Sequence, residues 1–370
     1  MTDTNTTHRG LEGIVAAETR LSMVDGEAGE LVIAGYPVAE LAMNARFEET
    51  VHLLFRGALP DEAEREAFTR ELASRRALPR GARELLASCA EDGVAVMDAL
   101  RVAAGTVRVR DDEDDALDLV AVFPTIVATY WRLLHHQEPL APRDDLGHAA
   151  NYLYMLTGQV PSDERVRGLE TYLDTVVDHG LNASTFTARV ITSTESDFVS
   201  AIVGAVGALK GPLHGGAPGP ALDMVFEIGE AKNAEPWLRR KIEAGEKLMG
   251  FGHRVYKVRD PRADVLAVAA KRMFERDGDM KLYDLARAVE ADAIRLLEEY
   301  KPGRRLQTNV EFYTALLLHG LGLEVPLFTP TFAVSRVAGW LAHCFEQRRT
   351  GRLIRPQSVY VGPRDLRWAA

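Results

Sequence analysis

The segment Gly211-Pro212-Leu213-His214-Gly215-Gly216-Ala217 places a histidine between residues that break helices. It directly follows the run from Asp197 to Lys210, whose apolar spacing predicts a helix. Because proline has no N–H and glycine tolerates positive φ, the segment ends that helix and lets the backbone come close to a ligand. This favours a ligand-facing His214. The alternative is a loop that stops a helix and contains an incidental histidine.

The composition is that of a globular protein, because 46% of the 370 residues are hydrophobic. This length allows two domains, or one large domain with a smaller one. The formal net charge of −10 argues against a nucleic-acid partner, since phosphate binding needs a basic face. No uninterrupted apolar run reaches the roughly 18 residues of a membrane helix, and residues 1–9 form a polar tail without the apolar core of a signal peptide. We therefore expect a cytoplasmic protein that does not bind membranes.

Hydrophobic periodicity predicts an all-α protein with one small β-hairpin. Residues 21–26 and 30–36 are short apolar pieces joined by an Asp-Gly turn, a pattern typical of two paired strands. From Phe47 onward the apolar spacing is helical. The predicted helices then span about residues 62–75, 81–89, 94–104, 115–135, 146–156, 163–178, 197–209, 220–228, 235–249, 262–276 and 281–300, with a long one opening at 328–330.

The acidic run Asp111-Asp112-Glu113-Asp114-Asp115 could be a metal site or the start of a helix. It lies where a helix is predicted to begin, and the helix dipole favours carboxylates at that end. Such runs are usually exposed faces. We therefore interpret it as a solvated helix cap and assign no metal ligand.

The segment Asp178–Thr185 interrupts one predicted helix and starts another, with Asn182 and Ser184 as possible N-caps. It contains His179, and a lone histidine in such a place is more often structural than functional.

Three later segments carry residues suited to chemistry. Residues 249–262 place His253 in a glycine loop followed by basic side chains, which suits an anion, although a solvated basic turn is the alternative. Glu311 lies among the apolar residues of 309–313, as either a helix cap or a base with a raised pKa. Arg336 lies in an apolar helix stripe, where an arginine normally needs an anionic partner.

In order and spacing, these segments resemble the citrate synthase family. The matching segments are TRLSMVDGEAGEL (19–31), NYLYMLTGQVPSDE (151–164), Asp178-His179 with STFTARV (184–190), GPLHGGA (211–217), GHRVYKVRDPR (252–262), NVEFY (309–313), FAVSRVAGWLAHCFEQ (332–347) and RPQS (355–358). The resemblance covers nearly the whole chain. It implies a citrate synthase-like two-domain helical fold and a homodimer. The large domain would comprise residues 1–214 and 319–370, and a small domain of residues 215–318 would close over the site.

The resemblance also implies a role for individual residues. His214 would hydrogen-bond the acetyl thioester oxygen, His253 would polarise the ketone of oxaloacetate, and Glu311 would be the base that removes a methyl proton. The residues that would bind oxaloacetate are His179, Arg262, Arg336 and Arg355, the last donated by the partner subunit. The residues in the place of the family's coenzyme A site are Gly250, Phe251, Gly252, Lys257 and Arg259.

The implied reaction condenses acetyl-CoA with oxaloacetate and hydrolyses citryl-CoA, with the CoA thioester as a co-substrate and with no metal or tightly bound cofactor. The resemblance does not separate citrate synthase from 2-methylcitrate synthase, which uses propionyl-CoA. A non-catalytic relative that binds a dicarboxylate or CoA is a further alternative. The chain departs from the family pattern at Glu311, usually Asp, at Pro218-Gly219, commonly Asn-Glu, and at Ala34, commonly Arg.

Overall fold

The computed structural model describes residues 8–215, 218–253, 255–277 and 280–368. Regular structure in these residues is mostly helical, which confirms the all-α prediction. The α-helices of the described residues are α1 (Val38–Asn44), α2 (Phe47–Arg56), α3 (Glu62–Ser74), α4 (Arg80–Glu91), α5 (Val96–Ala104), α6 (Asp112–Leu134), α7 (His148–Thr157), α8 (Asp163–Val176), α9 (Ala183–Thr192), α10 (Phe198–Leu209), α11 (Pro218–Ile228), α12 (Ala234–Glu243), α13 (Pro261–Asp277), α14 (Met280–Tyr300), α15 (Val310–Gly320) and α16 (Phe328–Thr350).

The predicted hairpin is confirmed by strands β1 (Ser22–Asp25) and β2 (Glu30–Ile33), which pair antiparallel. In the turn, Oδ1 of Asp25 accepts hydrogen bonds from the backbone N–H groups of Glu27 and Ala28, at 3.0 and 2.8 Å. A third strand, β3 (Tyr36–Pro37), adds to β2 and was not predicted. Its two residues are too few to show an alternating pattern.

Helix α6 begins at Asp112, three residues before the predicted start. Asp111 is its N-cap, as the cap hypothesis requires, and accepts hydrogen bonds from the backbone N–H groups of Glu113 and Asp114. The expectation of a solvated run is wrong for Asp115, which is buried and accepts a hydrogen bond from the backbone N–H of Arg110. In the described part of the chain, no group of three or more His, Cys, Asp or Glu side chains could hold a metal ion.

Helix α12 ends at Glu243, and the prediction that it continues to about residue 249 is wrong. Gly245 adopts a positive φ of 76°, and the backbone N–H of Glu246 donates to the carbonyl of Lys241. Glycine in this conformation closes the end of a helix, because it carries no Cβ to clash. The apolar periodicity of the sequence runs past this stop.

The helices pack in two groups that meet along α8 and α13. In the first group α16 contacts α2, α5, α6, α8, α9 and α10, and α6 contacts α3, α4, α5, α7, α10 and α16. In the second group α13 packs on α14 and α15, α12 packs on α14, and α11 packs on α15. Helix α13 also packs against α8 and α1. The assignment of domain boundaries at residues 214/215 and 318/319 stays a prediction.

Helix α6 is long and apolar enough to cross a membrane. The sequence prediction missed it because polar residues interrupt its apolar stretch. No other single unbent helix of the described residues meets that test. However, 72% of its most apolar window is buried by neighbouring helices. We therefore interpret α6 as a core helix.

One face of α16 lies against the loop between α8 and α9. Gly339 is the point of closest approach, because a Cβ added there would lie 2.1 Å from the carbonyl oxygen of Val177. On the same face, Arg336 donates to the carbonyl of Val176 at the end of α8, and Trp340 donates to the hydroxyl of Ser184 in the first turn of α9. His343 lies 3.3 Å from the carboxylate of Asp178 in the loop. These positions follow helical spacing, so a single face of α16 holds the loop.

We expect the substitution Gly339→Ala to lower the melting temperature. Overpacking costs about 1–3 kcal/mol, which exceeds the gain of about 1 kcal/mol that alanine brings to a helix. The matched control is Gly81→Ala in α4, where an added Cβ meets no atom within 4 Å. Thermal unfolding at one protein concentration checks this. An unchanged melting temperature for Gly339→Ala would contradict the close approach.

Candidate active site

His214 follows α10 and is partly buried. Its Nε2 atom accepts a hydrogen bond from the backbone N–H of Ser184 at 3.3 Å and lies 2.7 Å from the hydroxyl oxygen of that serine. A backbone N–H only donates, so this contact assigns the ring proton to Nδ1. Burial, and then the charge of Arg336, lower the pKa of His214. The ring is therefore a neutral imidazole whose N–H is on Nδ1.

Ser184 is the residue that fixes this ring, and sequence reasoning assigned it only a possible capping role. The cap of α9 is Asn182, which accepts the N–H of Thr185 at 3.1 Å, as predicted. The hydroxyl of Ser184 instead accepts the indole N–H of Trp340 at 3.0 Å and lies within hydrogen-bond distance of His214. Helices α9 and α16 thus hold one side of the imidazole.

His253 lies in the loop between α12 and α13. Its Nδ1 atom accepts the backbone N–H groups of Val255 and Tyr256, both at 3.1 Å, which assigns the ring proton to Nε2. Burial, and then Arg262, lower the pKa of His253 to about 4. Its Nε2 atom lies 3.4 Å from a guanidinium nitrogen of Arg262, and because both nitrogens then carry protons, this longer contact is not a hydrogen bond. This second histidine is therefore also neutral and has an N–H available on Nε2.

His179 lies beside His253, and their ring centroids are 5.9 Å apart. Its Nε2 atom is 3.1 Å from the hydroxyl of Tyr256, whose ring also packs on His253. Burial, and then the nearby Arg262, lower the pKa of His179 well below its ordinary value. Tyr256 therefore links two predicted site histidines, although the sequence analysis gave it no role.

Glu311 lies in the first turn of α15, and backbone pairing holds this turn next to the loop that carries His253. Residues 250–252 pair with residues 307–309 through an isolated bridge between Phe251 and Thr308. Two backbone hydrogen bonds of 2.7 and 2.9 Å flank that bridge. Asn309 caps α15 by accepting the N–H of Glu311 at 3.0 Å. The glycine-rich loop of His253 and the segment that leads into Glu311 thus form one rigid unit.

A cavity of about 60 Å³ brings Glu311 and His214 together. Its other lining residues are Tyr172, Val176, Gly215, Val310, Thr314, Phe328, Thr329 and Phe332. Burial raises the pKa of Glu311, and the charge of Arg262 offsets part of that shift. A carboxylate in such surroundings is a stronger base than one in water.

Arg262 is buried and forms two hydrogen bonds to the carboxylate of Asp260, at 3.0 and 2.8 Å. Oδ2 of Asp260 also accepts the backbone N–H of Val310 at 3.2 Å. Burial alone would favour a neutral Asp260, but Arg262 brings the pKa of this carboxyl below its ordinary value. One ionised carboxylate therefore fixes both Arg262 and the start of α15.

Arg336 is buried on α16, with its Nε–H donating to the carbonyl of Val176 at 2.7 Å and its guanidinium 4.5 Å from the ring centroid of Phe332. The predicted anionic partner is missing among the described residues, where no carboxylate lies within 4.0 Å of it. Burial lowers the pKa of Arg336 to about 10, although Asp178 acts in the opposite direction. It is a buried cation with which no carboxylate of the described residues forms an ion pair.

The remaining predicted residues lie on the loop or outside this cluster. Residues 250–252 precede His253 and pair with residues 307–309, which brings them near Glu311. Lys257 follows in the same loop and is exposed. The guanidinium of Arg259 bonds to the carboxylates of Asp264 and Glu290. Arg355 is exposed on the segment after α16. The predicted roles of Arg259 at coenzyme A and of Arg355 at oxaloacetate stay predictions.

Comparison with known proteins agrees with this geometry. Residues 10–357 match the family model described as citrate synthase, C-terminal domain. The chain belongs to the citrate synthase family. It is 43% identical to citrate synthase 2 of Bacillus subtilis, over 97% of this chain and 96% of that protein. It is 41% identical to 2-methylcitrate synthase of Mycobacterium tuberculosis, over 96% of this chain and 90% of that protein.

Among solved structures, one similar to this chain is citrate synthase from the archaeon Thermoplasma acidophilum, solved in a ternary complex with carboxymethyl coenzyme A and oxaloacetate. The TM-score is 0.87 at 30% sequence identity, with 98% of each chain covered. The citrate synthase fold is therefore shared over the full length of both chains.

As in an enzyme of the citrate synthase type, the arrangement suits proton abstraction next to a carbonyl group. A carboxylate with a raised pKa shares a cavity with a neutral imidazole donor, and a second neutral imidazole lies beside the buried Arg262. Preorganised donors stabilise an oxyanion far better in a water-poor site than in water.

We expect kcat/KM to fall on the acid side through an apparent pKa above 4.5, because burial raises the pKa of Glu311 from that value and only the ionised form accepts a proton. The pKa values of His214 and His253 are lowered, so both rings stay neutral at neutral pH. A pH–rate profile checks this. An acid limb at or below 4.5 would contradict the raised pKa of the base.

Proposed function

We propose that the chain is a citrate synthase that condenses acetyl-CoA with oxaloacetate and hydrolyses citryl-CoA to citrate and free CoA. The observation that supports this best is the shared cavity of Glu311 and His214, with two buried arginines, Arg262 and Arg336, close to it. The CoA thioester is a co-substrate, and the proposal includes no tightly bound cofactor.

The first step uses Glu311 and His214. The methyl group of a thioester is a very weak acid, so a carboxylate can remove its proton only if the developing oxyanion meets a preorganised donor. The Nδ1–H of His214 is the available donor, since Nε2 is occupied by Ser184. Glu311 thus takes the proton while His214 stabilises the enolate oxygen.

The second step uses His253. Its Nε2–H donates to the ketone oxygen of oxaloacetate, and the enolate carbon then attacks the ketone carbon. The new alkoxide takes up one proton and becomes the hydroxyl of citryl-CoA, and loss of the methyl proton from Glu311 balances this uptake and restores the carboxylate. Water then attacks the thioester carbonyl of citryl-CoA, which breaks the C–S bond and releases CoA. Neutral His253 suits this role because it donates a hydrogen bond without adding another charge beside Arg262.

Oxaloacetate carries two carboxylates, and arginine suits them because its planar fork binds a carboxylate with two parallel hydrogen bonds. Arg262 and Arg336 supply two of the three arginines, and Arg355 of a partner subunit supplies the third. Convergence of these cations on one dianion would draw the two helix groups together and exclude water. We therefore propose a homodimer as the working unit, and an active monomer at assay concentration would contradict it. The cytoplasm is the location that we propose for it.

A second candidate is 2-methylcitrate synthase. The relative of that name is 41% identical to this chain, close to the 43% of the citrate synthase relative. An assay of CoA release with oxaloacetate and either acetyl-CoA or propionyl-CoA separates the two activities. Citrate synthase predicts the larger kcat/KM for acetyl-CoA. A larger value for propionyl-CoA would favour the second candidate.

We expect Glu311→Gln to reduce CoA release by roughly 10²–10⁴-fold, the usual contribution of general-base catalysis, because the amide keeps the shape but cannot accept the proton. Oxaloacetate binding, measured by titration calorimetry, should survive. The matched control is Glu170→Gln in α8, since burial also raises the pKa of Glu170, to about 7, and it does not line the cavity of Glu311.

Near wild-type turnover of Glu311→Gln would show that the base is assigned wrongly. An inactive wild-type protein that still binds oxaloacetate or CoA would instead support the non-catalytic alternative.

A further inference from the structure

A buried carboxylate fixes the turn that carries His179. Oδ2 of Asp178 accepts the hydroxyl of Ser22 at 2.5 Å and lies 3.3 Å from Nε2 of His343. The same serine oxygen accepts the backbone N–H of Gly180 at 2.9 Å. Hydrogen bonds to Asp178 and Gly180, the residues on either side of His179, therefore hold its backbone in place.

His343 is held in turn by Arg189. Its Nδ1 atom lies 3.0 Å from a guanidinium nitrogen of Arg189, which can only donate, so Nδ1 is the acceptor and the ring proton is on Nε2. That proton points along the contact to Asp178. Arg189 also bonds to the carboxylate of Glu346 at 2.7 Å. We call Glu346, Arg189, His343 and Asp178 the buried relay.

The relay connects parts of the chain that are distant in sequence. Oε1 of Glu346 accepts the backbone N–H of Arg20 at 2.9 Å, next to the hairpin. Gln347 accepts from Arg189 at 3.1 Å and donates to the carbonyl of Arg352 at 3.0 Å, at the start of the segment that carries Arg355. The relay thus joins the N-terminal strand, α9, α16 and the C-terminal segment at the turn of His179.

We propose that His343 is a positioning residue which, oriented by Arg189, sets the place of His179 for oxaloacetate binding. The proposal rests on the proposed function. The relay also fixes the distance between His179 and Arg336, because Arg336 lies two turns before His343 on α16. Buried ion pairs usually contribute little net stability over well-packed apolar residues. Their fixed geometry is what an apolar core does not supply.

Two substitutions of His343 separate positioning from packing. Gln offers both an acceptor for Arg189 and a donor for Asp178, whereas Leu fills similar space and offers neither. We expect His343→Leu to raise the KM for oxaloacetate by about tenfold or more, with the KM for acetyl-CoA changed by less than about twofold, as when a hydrogen bond to a charged group is lost. His343→Gln should stay within about threefold of wild type.

The matched control is Arg348→Gln on the same helix, which removes an ion pair to Asp112 outside the relay. It should keep the wild-type KM values. Ser22→Ala removes the hydroxyl that bonds to Asp178 of the relay and to the N–H of Gly180, with a minimal change of size, and it should also raise the KM for oxaloacetate. A wild-type KM for oxaloacetate in both His343→Leu and Ser22→Ala, whatever their melting temperatures, would overturn the proposal.

Titration of oxaloacetate by calorimetry separates this proposal from the proposed function. If the wild type binds oxaloacetate but releases no CoA, the proposed reaction is wrong, and weaker binding by His343→Leu still supports the relay. If the wild type does not bind oxaloacetate, both are overturned.

Nitrogen-15 NMR of labelled histidine gives a further signature. His343 should be the Nε2–H tautomer, and the Nδ1–H tautomer would contradict the relay.

Discussion

The close approach of α16 to the loop after α8 is the constraint on which the site depends. At Gly339 the helix touches the carbonyl of Val177 so closely that no side chain fits between them. Only at this distance can Arg336 reach a carbonyl of the loop end and Trp340 reach Ser184. Because Ser184 orients His214, the separation of two backbones determines the direction in which the imidazole that we propose as catalytic donates.

The second constraint is electrostatic. Burial lowers the pKa values of the three site histidines, and Arg262 and Arg336 act in the same direction. The site therefore carries positive charge on the guanidinium groups of Arg262 and Arg336 and keeps its imidazoles neutral, each with one N–H to donate. This division suits a dianionic substrate with an uncharged carbonyl to be polarised, and it leaves Glu311 as the ionisable base in a partly buried cavity.

The sequence predicted those features that depend on residues close together in the chain. The hairpin, a helix cap in the acidic run of residues 111–115, and Asn182 as one of two possible caps were predicted because turn and cap preferences depend on a few neighbouring residues. Motif resemblance supplied the site residues. Tertiary contacts escaped both kinds of evidence: the burial of Asp115, the contact of Ser184 with His214 and the pairing of Arg259 with acidic side chains each depend on a segment distant in sequence.

The most direct test is a crystal structure of the protein with oxaloacetate and a non-reactive acyl-CoA analogue. We expect Nδ1 of His214 within hydrogen-bond distance of the acyl oxygen, Nε2 of His253 on the ketone oxygen, and the carboxylate of Glu311 facing the carbon that loses its proton. Both carboxylates of oxaloacetate should contact arginines. A complex in which the carboxylate of Glu311 faces away from that carbon, and His214 faces away from the acyl oxygen, would contradict the account.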